Sequence, residues 1–453
     1  MKSTKLTFLG LASALILAAC TGGAAAPTAA PVAPAATTAA AKPTEPAKPA
    51  PAAGETITIE YWQYNFQVRI DAMNDLIKQF EAANPGIKVV HNSEIPNADF
   101  QTKIAAAAAA GAGPDVVTLF NGWVPAWVDA GYVIPLPEKD FPPAEIEKNF
   151  TSLVQGTKFQ GKYWAIPTAV RSLALFWNKD MFKAAGLDPE KPPATLDEFV
   201  DYAKKLTKTE GGKITQQGFA VEMNGQAHQW FREVLTRQFG ETPFSADNKT
   251  INYGSAKACE AFTWLTKFET DYKTGSNDLF DGATTAFTNG KLAMHIDGSF
   301  RLGALNSAKG LNFGVAVLPT RNDIKSNFGS FWTHGITKKA AADPKKLEAS
   351  IKFLKFITTP AAGTLWVKYT GELPAQLSAA ADPALAADPK LGAFAKQMPY
   401  SIATFFVDEA KQRQALIDAF DAVRLNKVDP CKALADAAKK DQALYDDFWA
   451  KHK

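Results

Sequence analysis

The stretch from Gly161 to Gly186, GKYWAIPTAVRSLALFWNKDMFKAAG, holds two short apolar runs separated by a single arginine. Ala165–Pro167 predicts an extended segment that the proline ends. Leu173–Trp177 is too short for a helix and is flanked by polar residues, so it predicts a buried strand. Asn178 is a typical helix cap, and a short helix should follow it. Arg171 lies between the two runs, where the chain would pass from one structural unit to another; an exposed surface charge is an equally simple interpretation.

Length and composition set the broad class. The chain has 453 residues, of which 46% are hydrophobic, and this is enough for two or three domains with sizeable cores. The formal net charge of +3 is too balanced to favour nucleic acid or an acidic partner, and no basic run is interleaved with aromatic residues. We therefore expect no nucleic-acid partner.

The first residues are typical of a targeting segment rather than of the fold. Lys2 and Lys5 precede the apolar run Leu6–Leu17, which is too short to span a bilayer. The run ends in Leu-Ala-Ala-Cys20, which resembles the bacterial lipobox and implies removal of residues 1–19 and lipidation of Cys20. An ordinary secretory signal with an incidental cysteine is the alternative. A lipidated Cys20 would hold the protein at the outer face of the cell membrane or in the periplasm.

Residues 20–54 form a low-complexity segment of mostly Ala, Pro and Thr, with Lys42, Glu45 and Lys48 as its only charged residues. Such a composition cannot bury a core, so we predict a disordered or polyproline-like tether. About thirty residues at ~3.1 Å each would reach on the order of 90 Å. The tether would let the folded part sample the solvent near the membrane.

The pattern of the remaining chain predicts an α/β fold. Thr56–Tyr61 predicts a strand, a helix with one apolar face follows, and Ile87–Val90 predicts the next strand, so the fold opens with a βαβ unit and a mostly parallel sheet. Asp115–Phe120 and Phe219–Val221 predict further strands. Ligands bind beyond the carboxyl ends of the strands in such sheets. Aromatic and amide residues follow these strands: Trp62, Tyr64, Asn65, Asn121, Trp123, Asn224 and Trp230.

Three motifs carry a family resemblance. They are Gly-Pro-Asp-Val-Val at 113–117, FTNGKLAMHIDGSF at 287–300, and the pattern of Gly161, Tyr163, Ile166, Pro167, Asn178, Lys179, Asp180, Phe182 and Gly186. Shorter matches lie at 131–136, 313–319, 351–360 and 371–374. Together they resemble the bacterial extracellular solute-binding proteins of sugar ABC importers, family 1, of the maltose-binding-protein-like kind. The resemblance runs from Thr56 to Trp449.

The resemblance implies a periplasmic-binding-protein-like fold, in which two α/β lobes with mixed sheets are joined by crossing hinge strands and enclose a ligand cleft. By this correspondence the first lobe comprises residues 55–168 and 320–374, and the second comprises 169–319 and 375–453. The chain would cross between the lobes within 161–186 and again at Phe313–Pro319.

The same resemblance implies the substrate-binding component of an ABC importer. Such a protein captures a sugar or oligosaccharide between its lobes and delivers it to the permease subunits in the membrane. It implies a monomer that is not an enzyme and that needs no cofactor or metal ion.

Rings and polar groups at strand ends suit a sugar, because a ring packs against its C–H face while amides and carboxylates satisfy its hydroxyl groups. The predicted ligand-binding residues of the first lobe are Trp62, Tyr64, Asn65, Asn121, Trp123 and Trp332. Those of the second lobe are Arg171, Asn224, Trp230, Asp297, Ser299, Phe300 and Arg413. The family resemblance places Asp297, Gly298, Ser299 and Phe300 among the ligand contacts. The simpler interpretation of each single ring is a position in the core.

Two other functions stay open. A secreted glycoside hydrolase would need two carboxylates in an aromatic cleft, one of them with a raised pKa; the sequence has no zinc-binding His-Glu-x-x-His, phosphate loop or Gly-x-Ser-x-Gly motif. A protein of the same importer class that binds glycerol phosphate or another polyol would pair Arg171 and Arg413 with phosphate.

The remaining cysteines and histidines carry no motif. Besides Cys20 there are Cys259 and Cys431, which would form one disulfide or stay as two buried thiols, and we favour the thiols. His295 and His334 are expected at strand positions, facing solvent or with satisfied partners in the core.

Overall fold

The computed structural model describes residues 56–223 and 227–452, without the side chains of residues 227–229. The predicted signal peptide at 1–19, the lipidation site Cys20, the tether up to residue 54 and the candidate Asn224 therefore lie outside the described residues.

Helices and strands alternate through the described residues, as predicted for an α/β fold. In chain order the strands are β1 Ile57–Tyr64, β2 Ile87–Ile95, β3 Val116–Phe120, β4 Lys158–Phe159, β5 Lys162–Tyr163, β6 Ile166–Pro167, β7 Ala169–Asn178, β8 Lys208–Glu210, β9 Lys213–Phe219, β10 Leu292–Gly298, β11 Phe313–Ala316, β12 Asn327–Ser330, β13 Trp332–Ile336, β14 Leu373–Pro374 and β15 Ser401–Ile402. The α-helices are α1 Gln67–Ala83, α2 Asn97–Ala109, α3 Val124–Asp129, α4 Pro143–Asn149, α5 Lys179–Ala184, α6 Leu196–Leu206, α7 Ala227–Gln238, α8 Ala256–Thr270, α9 Ala283–Thr288, α10 Leu302–Ser307, α11 Lys338–Ala341, α12 Pro344–Ile357, α13 Pro360–Thr370, α14 Leu377–Ala380, α15 Pro383–Ala387, α16 Leu391–Gln397, α17 Glu409–Arg424 and α18 Pro430–Lys451. Short 3-10 turns lie at Asn121–Trp123, Ser152–Thr157, Ser299–Arg301 and Met398–Tyr400.

The first sheet has the strand order β2-β1-β3-β13-β6. β1 runs parallel to β2 and β3, as the βαβ pattern predicted, whereas β13 runs antiparallel to β3 and β6. β1 is longer than predicted, because Trp62 and Tyr64 continue to pair with β2. The sheet is therefore mixed, and its first strand carries residues that the sequence placed beyond its end.

β7 is the central strand of the second sheet, whose order is β15-β12-β7-β10-β9-β8. Every residue of β7 is buried, and β14, β12, β10 and β11 pair antiparallel with successive parts of it. The buried strand predicted at Leu173–Trp177 is confirmed and extends in both directions. Arg171 lies inside this strand and is 5% exposed, so the interpretation as a surface charge is wrong.

The described chain passes between the two sheets near residue 168 and returns near residue 331. Pro167 ends β6 in the first sheet, and Ala169 begins β7 in the second. The return lies between Ser330 in β12 and Trp332 in β13. β11, within the predicted crossing at Phe313–Pro319, still pairs with β7 in the second sheet, so the return between the sheets follows that stretch. The boundaries of the lobes themselves stay a prediction.

Local signals set the starts of helices α5 and α6. The side chain of Asn178 accepts a hydrogen bond from the backbone N–H of Met181 at 3.0 Å, which confirms the predicted cap. Thr195 and Glu198 form the two reciprocal bonds of a capping box at the start of α6. Among the described residues, no helix combines the length and the apolar composition that a membrane span requires.

The cysteines differ from the expectation. Cys259 in α8 and Cys431 in α18 form a disulfide, so the prediction of two buried thiols is wrong. Their Cα atoms are 4.9 Å apart although 172 positions separate them in sequence. The packing of α8 against α18 brings them together, and no local pattern reports that packing.

Candidate functional site

A cleft of about 640 Å³ is lined by residues of both sheets and of the helices α1, α2, α7 and α17. Tyr64 and Asn65 stand at the end of β1, Arg171 lies in β7, and Asp297 lies near the end of β10. The predicted site residues that line the cleft are Tyr64, Asn65, Trp123, Arg171, Trp230, Asp297, Phe300, Trp332 and Arg413. The structure therefore brings together most of the set, and the role of each as a ligand contact stays a prediction.

Trp62, Asn121 and Ser299 do not line this cleft. Trp62 is held inside β1, where its indole N–H donates to Glu60 at 3.3 Å. Asn121 is buried, and its side-chain oxygen accepts from the backbone N–H of Phe331 at 3.1 Å, so it braces the passage from β12 to β13. Ser299 is fully buried in the 3-10 turn that presents Phe300.

Sequence reasoning missed several residues of the cleft. Arg69, Arg301 and Glu409 line it. Arg69 stands next to Ile70 on the buried face of α1, where the pattern predicted only apolar side chains. A charged residue within the apolar stripe of an amphipathic helix was the one available signal, since such a charge needs a buried partner.

Arg69 and Arg171 share one carboxylate at the floor of the cleft. Arg69 donates to Oε1 of Glu372 and to the hydroxyl oxygen of Tyr64, and Nη1 of Arg171 lies 3.9 Å from the same Oε1. The indole of Trp366 donates to Oε2 of Glu372 at 2.8 Å. Burial alone would raise the pKa of Glu372, but the charges of Arg69 and Arg171 outweigh it and hold that pKa below its ordinary value. Glu372 is therefore ionised between two cations.

The guanidinium group of Arg171 lies between aromatic faces. Its carbon is 4.8 Å from the ring centre of Phe300 and 5.1 Å from that of Trp230, and its Nε donates to the hydroxyl of Ser330 at 2.8 Å. Burial, together with the nearby charge of Arg69, lowers the pKa of Arg171 to about 10. Arg171 is thus still charged at neutral pH, and cation–π attraction holds it in place.

Asp297 is fully buried, and both of its oxygens accept hydrogen bonds. Oδ1 accepts from the backbone N–H of Gly298 at 2.7 Å, while Oδ2 lies 2.5 Å from Nε of Arg301 and 3.3 Å from Nε2 of His295. Burial would raise the pKa of Asp297, but Arg301 and His295 outweigh it and hold that pKa well below its usual range. Nε of Arg413, which also lines the cleft, lies 3.3 Å from Oε1 of Glu409, one turn earlier in α17.

The aromatic residues form two groups, and Phe120 links them, because its ring centre lies 5.9 Å from that of Trp332 and 6.4 Å from that of Trp230. Trp332 is the centre of the first, with its ring centre 4.3 Å from that of Tyr64 and 5.0 Å from that of Trp123. In the second, Trp230 stacks on Phe328 with ring centres 5.1 Å apart and 10° between the planes. Ring-to-ring contact therefore helps to hold these side chains in the walls of the cleft.

The two strand histidines are buried. His334 lies between the hydroxyl groups of Tyr61 and Thr168, at 3.1 and 3.0 Å, which confirms the prediction of a satisfied core position. His295 contacts Asp297 as described above. Among the residues that the structure describes, no group of three or more His, Cys, Asp and Glu side chains is placed to hold a metal ion.

Residues 75–393, more than half of the chain, match the family described as bacterial extracellular solute-binding protein. The chain belongs to this family. The resemblance inferred from the motifs is therefore confirmed, and so is a role as a solute-binding protein. The family consists of binding proteins that act outside the cytoplasm.

Two relatives of this solute-binding protein match over most of its length. The sn-glycerol-3-phosphate-binding periplasmic protein UgpB of Salmonella typhimurium is 26% identical over 339 residues, which are 70% of this chain and 74% of the relative. The maltotriose-binding protein of Pyrococcus abyssi is 24% identical over 340 residues, which are 73% of this chain and 69% of the relative.

A solved structure shows the fold. An ABC transporter solute binding protein from Thermotoga lettingae, bound with alpha-D-tagatose, superposes with a TM-score of 0.74 at 21% identity. The match covers 86% of this chain and 100% of the other. The predicted architecture, two α/β lobes with a cleft between them, is confirmed.

Proposed function

We propose that this solute-binding protein captures a sugar or oligosaccharide in the cleft and delivers it unaltered to the permease subunits of an ABC importer. The observation that supports the proposal is the convergence of aromatic rings from separate parts of the chain on one space. Trp123 and Trp332 stand on one side, and Trp230 and Phe300 stand on the other. Flat rings cover the C–H faces of a sugar, and a cleft of about 640 Å³ suits a small ligand.

The solute would be captured between the two lobes. The first lobe comprises residues 55–168 and 320–374, and the second comprises residues 169–319 and 375–453. A solute that touches both lobes stabilises their closed arrangement by its higher affinity for that state. The closed form then docks on the permease. We place the protein outside the cytoplasm as a monomer, anchored by lipid on Cys20 and set off from the membrane by the tether.

Calorimetric titration with a panel of mono- and oligosaccharides tests the proposal, because each binding event reports affinity directly. Phe300→Ala should weaken saccharide binding. Phe239→Ala is the matched control. Phe239 is also half-buried beneath an arginine, since the guanidinium carbon of Arg321 lies 4.2 Å from its ring centre, but Phe239 does not line the cleft. Binding of no saccharide or polyol, or equal effects of the two substitutions, would refute the proposal.

The glycoside hydrolase alternative makes a different demand on the cleft. A hydrolytic pair needs one carboxyl group whose pKa is raised so that it can donate a proton. The pKa of Asp297 is lowered instead. Burial raises the pKa of Asp441 to about 6 and also raises that of Glu233, but neither residue lines the cleft. We therefore propose that the protein is not an enzyme; release of shortened saccharides from an oligosaccharide would overturn this.

Glycerol phosphate, or another polyol, is the second candidate solute within the same importer class. The observation that favours it is the similarity to UgpB, which is named for sn-glycerol-3-phosphate. Including that compound in the calorimetric panel separates the two candidates. Tighter binding of sn-glycerol-3-phosphate than of every saccharide would assign the polyol.

A further inference from the structure

In two ion pairs that line the cleft, the arginine is more exposed than its carboxylate partner. Arg301 and Asp297 form one pair in which the arginine side chain is 35% exposed and the carboxylate is 0% exposed. Arg413 and Glu409 form another pair, in which the arginine side chain is 30% exposed and the carboxylate is 1% exposed. In both pairs the cation stands toward the opening and the anion lies behind it. A solute that enters the cleft therefore meets guanidinium groups before it meets carboxylates.

At the floor of the cleft, too, positive charge outweighs negative charge. Arg69 and Arg171 both draw on Glu372, so two buried cations share one carboxylate. Arg171 itself lines the cleft, between Phe300 and Trp230. A buried cation that lacks a full counter-charge is costly, and a bound anion would relieve that cost.

The carboxylates offer little to the hydroxyl groups of a neutral sugar. Asp297 is enclosed, and its oxygens already accept from Gly298, Arg301 and His295. Both oxygens of Glu372 are also engaged, by Arg69 and Trp366. The expectation that carboxylates satisfy sugar hydroxyl groups therefore does not fit these two residues, and the second-sheet wall presents mainly hydrogen-bond donors.

The wall on the side of the first sheet is different in character. Besides the rings of Tyr64, Trp123 and Trp332, it contributes the neutral polar side chains of Asn65, Asn97, Gln101 and Thr102. Amides and hydroxyl groups can both donate and accept, so they match a sugar or polyol body.

We infer that the solute carries an anionic group, a carboxylate or a phosphate ester, on an otherwise neutral hydroxylated body. The body lies against the first-sheet wall, and the anionic group lies against Arg171, Arg301 and Arg413. This inference rests on the proposed function and narrows its solute to acidic saccharides or phosphorylated polyols and sugars. Guanidinium groups suit both anions, because each accepts paired N–H donors.

The test is calorimetry on the full chain with matched charged and neutral probes. Digalacturonate is compared with its dimethyl ester, and glucose 6-phosphate and sn-glycerol-3-phosphate are compared with glucose and glycerol. We expect an anionic probe to bind at least about tenfold more tightly than its neutral partner, with an affinity that falls as salt is raised. The first comparison reports a carboxylate, and the second reports a phosphate.

Arg413→Gln should remove about tenfold of the affinity for the anionic probe. Arg237→Gln is the matched control, because Arg237 also pairs with a buried glutamate one turn earlier, Glu233 at 3.4 Å, and does not line the cleft. Thermal unfolding verifies that the variants fold. If Arg413→Gln does not fold, Arg413→Lys is the second variant, and because it keeps the charge it should still bind the anionic probe more tightly than the neutral one. The affinity of the unaltered protein for the anionic probe should fall as salt is raised, and an affinity that does not change with salt would overturn the inference.

The outcomes separate the inference from the proposed function. Neutral saccharides that bind as tightly as the charged probes, without salt dependence, overturn the anionic solute and leave a sugar-binding protein. Equal anion affinities in the Arg413 and Arg237 variants also overturn it. Binding of no saccharide or polyol phosphate refutes the proposed function itself.

Discussion

Nη1 of Arg171 lies 3.9 Å from Oε1 of Glu372, and Arg69 bonds to that same oxygen. One carboxylate therefore separates a guanidinium group on β7 from another on α1. β7 belongs to the second sheet, and α1 follows directly after β1 of the first sheet, so Glu372 links parts of the chain that belong to the two sheets at the floor of the cleft. The stability of the folded protein should therefore depend on the negative charge of Glu372.

Glu372→Gln should lower the free energy of unfolding by about 3–5 kcal/mol, since breaking a buried ion pair leaves charges without compensation. Urea denaturation measures this change. Glu348→Gln is the control, because Glu348 pairs with Lys352 on the surface at 2.8 Å and its loss should leave the unfolding curve in place. Similar curves for the two variants would show that Glu372 does not compensate the buried cations.

His334 should make the protein sensitive to acid. Burial, reinforced by the charge of Arg69, lowers the pKa of His334 to about 3. The unfolded value is about 6.5, so the stabilising contribution is complete above pH 6.5 and is lost as pH falls from 6.5 toward 3. Each unit in that window removes up to about 1.4 kcal/mol.

His334→Gln removes this titration, so its unfolding free energy should approach that of the unaltered protein as pH is lowered. The hydroxyl of Thr168 donates to the carbonyl of Ile357 at 2.6 Å, so it accepts from Nε2–H of His334, and Nδ1 then accepts from Tyr61. The same variant at pH 8 serves as the reference. A difference between the two proteins that stays constant from pH 8 to pH 4 would contradict the assignment.

Breaking the bond between Cys259 and Cys431 should destabilise the fold and spare the cleft. In the chain-entropy description, a loop of this length contributes about 5 kcal/mol. Reduction, or replacement of both cysteines by serine, should lower the unfolding midpoint, and the double variant should not respond to reductant. Thiol titration under denaturing, non-reducing conditions is the direct check. Detection of two free thiols in the oxidised protein would contradict the disulfide and support the two thiols favoured by the sequence.

Gly298→Ala should weaken solute binding through Phe300. A Cβ at Gly298 would lie 2.1 Å from Cε1 of Phe300, so the ring must leave its place beside Arg171. We expect a loss of about tenfold in affinity, about 1.4 kcal/mol. Gly303→Ala is the control, since its Cβ would meet only Val68, at 3.8 Å. Unchanged affinity in Gly298→Ala would show that Phe300 does not contact the solute.

Features that depend on a few neighbouring residues were predictable from sequence. The apolar run of β7, the cap at Asn178 and the capping box at Thr195 each depend on residues within four or five positions. Strand ends marked by aromatic residues also led to much of the cleft lining, because the carboxyl ends of parallel strands meet at one edge.

The electrostatics of the cleft was not predictable, because its partners are distant in sequence. Glu372 bonds to Arg69 across 303 positions, and no periodicity reports such a pair. Trp62 was misplaced for a related reason: β1 continues to Tyr64 through pairing with β2, which the alternation of its own residues does not reveal. The disulfide likewise depends on the packing of α8 and α18.

Native mass spectrometry of the full folded chain, mixed with a pool of neutral and acidic saccharides and polyol phosphates, shows whether the protein holds one unaltered solute. We expect a single adduct whose mass equals that of one intact solute, lost in Phe300→Ala and kept in Phe239→Ala. No adduct from the whole pool, or cleaved products in its place, would contradict it.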